Sequence, residues 1–96
     1  MGAERDFYVL TYDITDDKRR RKVAKLCEAV AERVQYSVFE AYLTPAELEK
    51  LIKKTGRWMK KEEDSLRVYT LCASCRKKAK AYGQGQVTPA PTVTIV

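Results

Sequence analysis

The sequence predicts one α+β domain of the ferredoxin-like, split βαβ kind, an antiparallel sheet with both helices on the same side. Three observations carry this. Phe7 to Ile14 is rich in aromatic and β-branched residues and is largely apolar on both alternating faces. Two later segments repeat apolar residues at helical spacing, the second behind a complete helix start. The order of elements is β-α-β(β)-α-β in 96 residues, which is room for one small domain.

In the first strand, alternation places Phe7, Val9, Thr11 and Asp13 on one face, and Tyr8, Leu10, Tyr12 and Ile14 on the other. A strand apolar on both sides is covered on both. Helices cover one face, and a second copy of the chain is expected on the other, giving a homodimer. Thr15 or Asp16 caps the next helix, with Asp16 and Asp17 at its positive end. Val23, Leu26, Cys27, Val30 and Val34 form its apolar stripe, and its end is expected near Glu32.

Arg33 to Leu43 is β-like and long for one strand. It is either a single bent strand or a hairpin turning near Ser37, and no Gly, Asn or Pro marks the turn. Thr44-Pro45-Ala46-Glu47 then reads as cap, first-position proline and capping-box glutamate. Leu48, Leu51, Ile52, Thr55 and Met59 make the second helix's stripe, which Gly56 weakens at its end. Lys60 to Asp64 is a charged connection, Leu66 to Cys72 a strand, and Cys75 to Tyr82 a basic segment of one or two helical turns. Gly83-Gln84-Gly85-Gln86 is a flexible link, and Thr92 to Val96 a last strand candidate. Residues 1–83 thus form the expected ferredoxin-like domain, and 84–96 a linker and terminal strand.

The formal net charge is +6, concentrated in Lys18-Arg19-Arg20-Arg21-Lys22 and in Arg76-Lys77-Lys78. Such clusters suit a polyanion, although a solvated helix face has the same composition. No Trp/Phe/Leu-rich face accompanies the basic run, and no apolar run approaches bilayer length, so no membrane partner is expected. The N-terminus lacks the basic-then-apolar layout of a secretory signal, and the expected location is cytoplasmic. With no histidine, imidazole acid–base chemistry and Cys/His zinc sites are excluded. Cys72-Ala73-Ser74-Cys75 has CxxC spacing. A redox pair would have to open a helix after a strand, and with Cys72 assigned to the strand these read as small buried cysteines.

A carboxylate holding a hard cation remains, and Asp13 is the place for it. It ends an apolar strand on the face expected to meet a partner, where a charge needs an ion pair or a metal. The residues alone leave Asp13 open between that role and a structural strand-end aspartate.

Tyr12-Asp13-Ile14, then Asp16-Asp17 and Arg19-Arg20, then Arg33-Val34-Gln35-Tyr36-Ser37-Val38-Phe39-Glu40, then Glu63-Asp64-Ser65-Leu66-Arg67-Val68-Tyr69 form an ordered set. The set resembles the Cas-two family of CRISPR adaptation proteins, over about Phe7 to Gly83. Ala31 stands where that family usually has a glycine. The resemblance implies a ferredoxin-like homodimer in which the two Asp13 carboxylates hold one Mg²⁺ or Mn²⁺, with Tyr12 beside the ligand. It implies phosphate contacts for Arg19, Arg20 and Arg33, site-shaping roles for Ser37 and Phe39, and a terminal strand, Thr92 to Ile95, added to the partner's sheet. It further implies metal-dependent endonuclease activity on RNA or double-stranded DNA, together with a Cas-one integrase during spacer acquisition. The alternative is a non-catalytic DNA-binding dimer bridging that integrase.

Overall fold

Strand β1 (Asp6–Asp13) is the centre of the sheet in the computed structural model, which describes residues 4–83, 85 and 87. Helix α1 (Asp17–Glu28) follows, then β2 (Glu32–Gln35), β3 (Val38–Leu43), α2 (Pro45–Gly56), β4 (Ser65–Leu71) and a short α3 (Ala73–Lys77). The sheet order is β2-β3-β1-β4 with every neighbouring pair antiparallel, the ferredoxin-like arrangement that the element order predicts.

Strand alternation determines the core. Tyr8, Leu10 and Tyr12 of β1 and Phe39, Ala41 and Leu43 of β3 are buried on the helix side, against Val23, Ala24 and Cys27 of α1 and Leu51 of α2. Leu10, Phe39, Val23, Cys27 and Thr55 are fully enclosed, and Thr55 satisfies its hydroxyl by donating to the Ile52 carbonyl at 3.0 Å. The α2 start is as the sequence predicts. The Thr44 hydroxyl accepts from the Glu47 N–H at 3.2 Å, and the Glu47 carboxylate accepts from the Thr44 N–H at 2.8 Å.

Three expectations change. Helix α1 stops at Glu28 rather than near Glu32, because Glu32 to Gln35 pair with β3. Val30 and Val34 continue the helical phase in the sequence, yet they lie in the turn and in β2, 46% and 38% exposed. Ala31 takes this turn without a left-handed backbone, donating its N–H to the Cys27 carbonyl at 2.8 Å. Second, Cys72 is not in β4. It is the N-cap of α3, and both Cys72 and Cys75 are exposed; only Cys27 is buried. Third, the outer face of the sheet, expected to be covered by a second copy, is partly covered by the chain itself. Phe7 is buried there, its ring 5.0 Å from that of Tyr42, with the Arg76 guanidinium of α3 5.0 Å above it.

The region 33–43 is a hairpin. Gln35 and Val38 flank a two-residue turn, Tyr36-Ser37, and a bulge falls between Arg33 and Gln35. The turn uses no positive φ, which explains why Gly and Asn are missing; the bulge supplies the twist that such a turn lacks. The terminal strand expected at Thr92 to Ile95, and its crossing to a partner, lie outside the described residues. Among those residues no helix is long and apolar enough to cross a membrane.

The charged connection before β4 contains a buried anion. Asp64 accepts from Arg19 Nε at 3.1 Å and Nη2 at 3.2 Å, and from the Lys60 N–H at 2.9 Å. Arg19 first, then the Lys60 N–H, holds this carboxyl below the usual 3.8 despite its burial. Such a group stabilises the fold fully above its unfolded-state value and loses that contribution as pH falls through its folded one. Wild type should therefore lose stability steeply below about pH 4. Asp64→Asn should start less stable, melting several degrees lower at neutral pH, and lose less on acidification, as measured by thermal unfolding from pH 7 to pH 2.5.

Candidate metal and nucleic-acid site

Asp13 is the last residue of β1 and is exposed, whereas its neighbours Tyr12 and Ile14 are buried. It pairs with Ser65, the first residue of β4, and Thr11 pairs with Arg67. Alternation therefore brings Thr11, Asp13, Ser65 and Arg67 to one face of the sheet. There they line a cleft of about 270 Å³. A carboxylate, two hydroxyls and a guanidinium stand together, a set that suits a cation and a phosphate side by side. Arg67 carried no role in the sequence reading. Its signal was strand parity, once the β1–β4 register is known.

Tyr12 lines the same cleft, but its ring belongs to the other face. It stacks on Phe39 at 6.1 Å, and its hydroxyl accepts from Arg33 Nη2 at 3.4 Å. The Arg33 guanidinium lies 5.3 Å from the Phe39 ring centre and 5.9 Å from that of Tyr36. Tyr12, Arg33 and Phe39 are thus one cluster, on the opposite side of β1 from the Asp13 carboxylate. Ser37 sits in the hairpin turn, where its carbonyl accepts the Tyr12 N–H at 3.1 Å and fixes the hairpin to the end of β1.

The basic run divides by helical phase. Arg19 turns inward to Asp64, its side chain 17% exposed. Arg20 donates to the Ile14 carbonyl at 3.0 Å and pairs with Asp17. Both therefore hold the loop that follows Asp13. Asp16 caps α1, accepting from the Arg19 N–H at 2.9 Å, and that bond holds its carboxyl below the ordinary aspartate value. Arg20, Arg21 and Lys25 of α1 with Arg33 and Tyr36 of the hairpin line a groove of about 460 Å³, which Asp17 and Glu28 also border. Tyr36 is 79% exposed at its end. Cations beside an exposed aromatic ring suit a nucleic-acid backbone and an unstacked base. Arg20 and Arg33 stand here as the resemblance implies, Arg21 and Lys25 belong to the basic run that suits a polyanion, and Tyr36 carries no role from the sequence alone.

Residues 6–79 match the family model described as CRISPR associated protein Cas2. The CRISPR-associated endoribonuclease Cas2 2 of Synechocystis sp. is 45% identical over 94 residues, covering 95% of this chain and 99% of that protein. The CRISPR-associated endonuclease Cas2 2 of Thermus thermophilus is 47% identical over 62 residues, covering 65% and 69%. Among solved structures, a chain of a partial Cas6-RT-Cas1–Cas2 complex superposes with a TM-score of 0.76 at 28% identity, covering 95% of this chain and 99% of that one.

If Asp13 and Arg67 serve a ligand and not the fold, removing them leaves stability alone. Asp13→Asn and Arg67→Ala should each change unfolding free energy by no more than about 0.5 kcal/mol, the range of surface positions, in denaturant titrations at neutral pH.

Proposed function

The chain belongs to the CRISPR associated protein Cas2 family, and on that premise we propose that it is a metal-dependent endonuclease of CRISPR adaptation, cleaving RNA or double-stranded DNA as a homodimer. The observation that carries the reading is the exposed Asp13 carboxylate at the end of an otherwise buried strand, with Ser65 and Arg67 beside it.

Among the described residues no three carboxylates or thiolates gather within one chain. Asp13 therefore offers one carboxylate per copy. Mg²⁺ is commonly held by one or two carboxylates, with its other positions left to water and substrate phosphate. The donor set fits Mg²⁺ or Mn²⁺ when two copies meet on their outer sheet faces. Val9 and Val38, half-buried, and Tyr69, 52% exposed, give that face an apolar centre. The metal, when bound, supplies Lewis-acid polarisation of a phosphoryl oxygen and activation of water. Arg67 offers charge to the phosphate at the cut. Arg20, Arg21, Lys25 and Arg33 take the backbone on either side, and Tyr36 stacks on a base. Tyr12, Ser37 and Phe39 position Arg33, and Arg19 braces the strand ends through Asp64.

A second reading, a non-catalytic dimer bridging a Cas1 integrase, is supported by the relative found in a Cas1–Cas2 complex. The basic groove serves either reading, because binding phosphate needs no cut.

Purified protein with Mg²⁺ or Mn²⁺ should cut a labelled RNA or duplex, chelation should stop it, and Asp13→Asn should reduce cleavage to the blank rate while binding survives. Wild type that binds but never cuts would select the bridging reading. Binding should also weaken with salt. Replacing Arg21 and Lys25 by alanine should lower the slope of log affinity against log salt by about two units, one per lost contact, measured by fluorescence anisotropy from 50 to 300 mM salt.

A further inference from the structure

The Cys72–Cys75 pair is used by nothing above. It lies at the far end of β1 from Asp13. Cys72 follows Leu71, the partner of Phe7, whereas Asp13 pairs with Ser65. Six residues of extended strand separate the two ends, roughly 20 Å. The pair is thus a separate site.

Its geometry is that of a reactive dithiol. The two cysteines occupy one turn, at the N-cap and third position of α3 directly after β4, and both are exposed. The Cys72 sulfur lies 3.2 Å from the Ser74 hydroxyl, with Cys75 in the same turn. A hydroxyl donating to that sulfur favours its anion. Ser74 first, then Cys75, brings the Cys72 thiol down to about 7, while the Cys75 thiol, donating to Cys72, is raised. One thiolate and one neighbouring thiol is the division of labour that thiol–disulfide exchange needs. Beside Cys72 opens a cleft of about 610 Å³ whose charged lining is Arg5, Arg76 and Lys77 with Glu4 and Asp6. Three cations against two carboxylates leave it net positive, which suits a small disulfide that carries carboxylates. Cys27 is the contrast: it is enclosed, and burial pushes its thiol up to about 11.

We propose that Cys72 and Cys75 are a reversible dithiol–disulfide site, with Cys72 the attacking sulfur and a low-molecular-weight peptide disulfide of the glutathione class as its oxidant. The Cys72 thiolate attacks one sulfur of the small disulfide. A bond forms between them, the small S–S bond breaks, and one small thiolate leaves and takes a proton from water. Cys75 then loses its proton to solvent and attacks the Cys72 sulfur, expelling the second small thiolate. Two protein thiols are oxidised to one disulfide, and one small disulfide is reduced to two thiols. The new bond closes the first turn of α3, the helix whose Arg76 covers Phe7 and Tyr42.

The test uses the full reduced chain and glutathione disulfide at pH 7, with alkylation and mass spectrometry as readouts. Wild type should lose two alkylatable thiols together, gain no adduct, and yield one peptide linking Cys72 to Cys75. Cys75→Ser should stop at a single glutathione adduct on Cys72. In unoxidised protein, iodoacetamide should label Cys72 roughly tenfold faster than Cys75, since a thiol titrating near 7 is half ionised and an ordinary one only a few per cent. Ser74→Ala should slow Cys72 labelling severalfold and leave Cys27 unlabelled. Separate adducts on both cysteines without a disulfide, a bond between two chains through Cys72, or equal labelling rates would each overturn the proposal.

Discussion

The Arg19–Asp64 pair is the constraint on which the candidate site depends. Asp64 is the residue before Ser65, and Ser65 is the strand partner of Asp13. Arg19 lies in the first turn of α1, and Lys60, whose N–H also donates to Asp64, lies in the connection before β4. One buried carboxylate therefore ties together the start of α1, the connection after α2 and the start of β4. A buried charge is costly unless its lone pairs are met, and here two guanidinium N–H groups and one backbone N–H meet them. Arg20 adds to the hold through the Ile14 carbonyl. The cleft around Asp13 is consequently built on strand ends that cannot drift apart without stranding an anion in the core.

The period of the strand has a second consequence. Tyr12 and Asp13 are adjacent in the chain, and their side chains serve opposite faces. The Tyr12 phenol joins Phe39 and Arg33 on the helix side, next to the groove that ends at Tyr36. The Asp13 carboxylate belongs to the outer face with Arg67. The cations of that groove and the metal-ligand candidate are thus separated by the thickness of the sheet, at the same end of the molecule. A nucleic acid that reaches both has to pass around the end of β1, where the Ile14–Asp16 loop lies.

The opposite end of β1 is built differently. There α3 covers the outer face through Arg76 over Phe7 and Tyr42, and the CxxC turn stands at its start. Homodimer contact on the outer face would fall between these ends, on Val9, Val38 and Tyr69. The dithiol and the carboxylate then occupy the two borders of one interface.

Local signals in the chain were enough for the order of elements, the capping box at Thr44 to Glu47 and the face assignment of β1. Each depends on neighbours within a few residues, where periodicity and capping chemistry act. Boundaries were lost where one period ran into the next: Val30 and Val34 stay in helical phase although strand pairing with β3 claims the chain from Glu32. The Tyr36-Ser37 turn is not distinguishable from a single bent strand in the sequence because it uses no left-handed residue, and Cys72 reads as strand because cysteine is not an N-cap signal. Asp64 read as part of a solvated charge run, since its partner Arg19 stands 45 positions away. The inward turn of Arg19, the alignment of Arg67 with Asp13, and the exposure of both CxxC sulfurs were decided by tertiary structure alone. Each is set by strand register or by burial against distant residues, and neither quantity has a local signature.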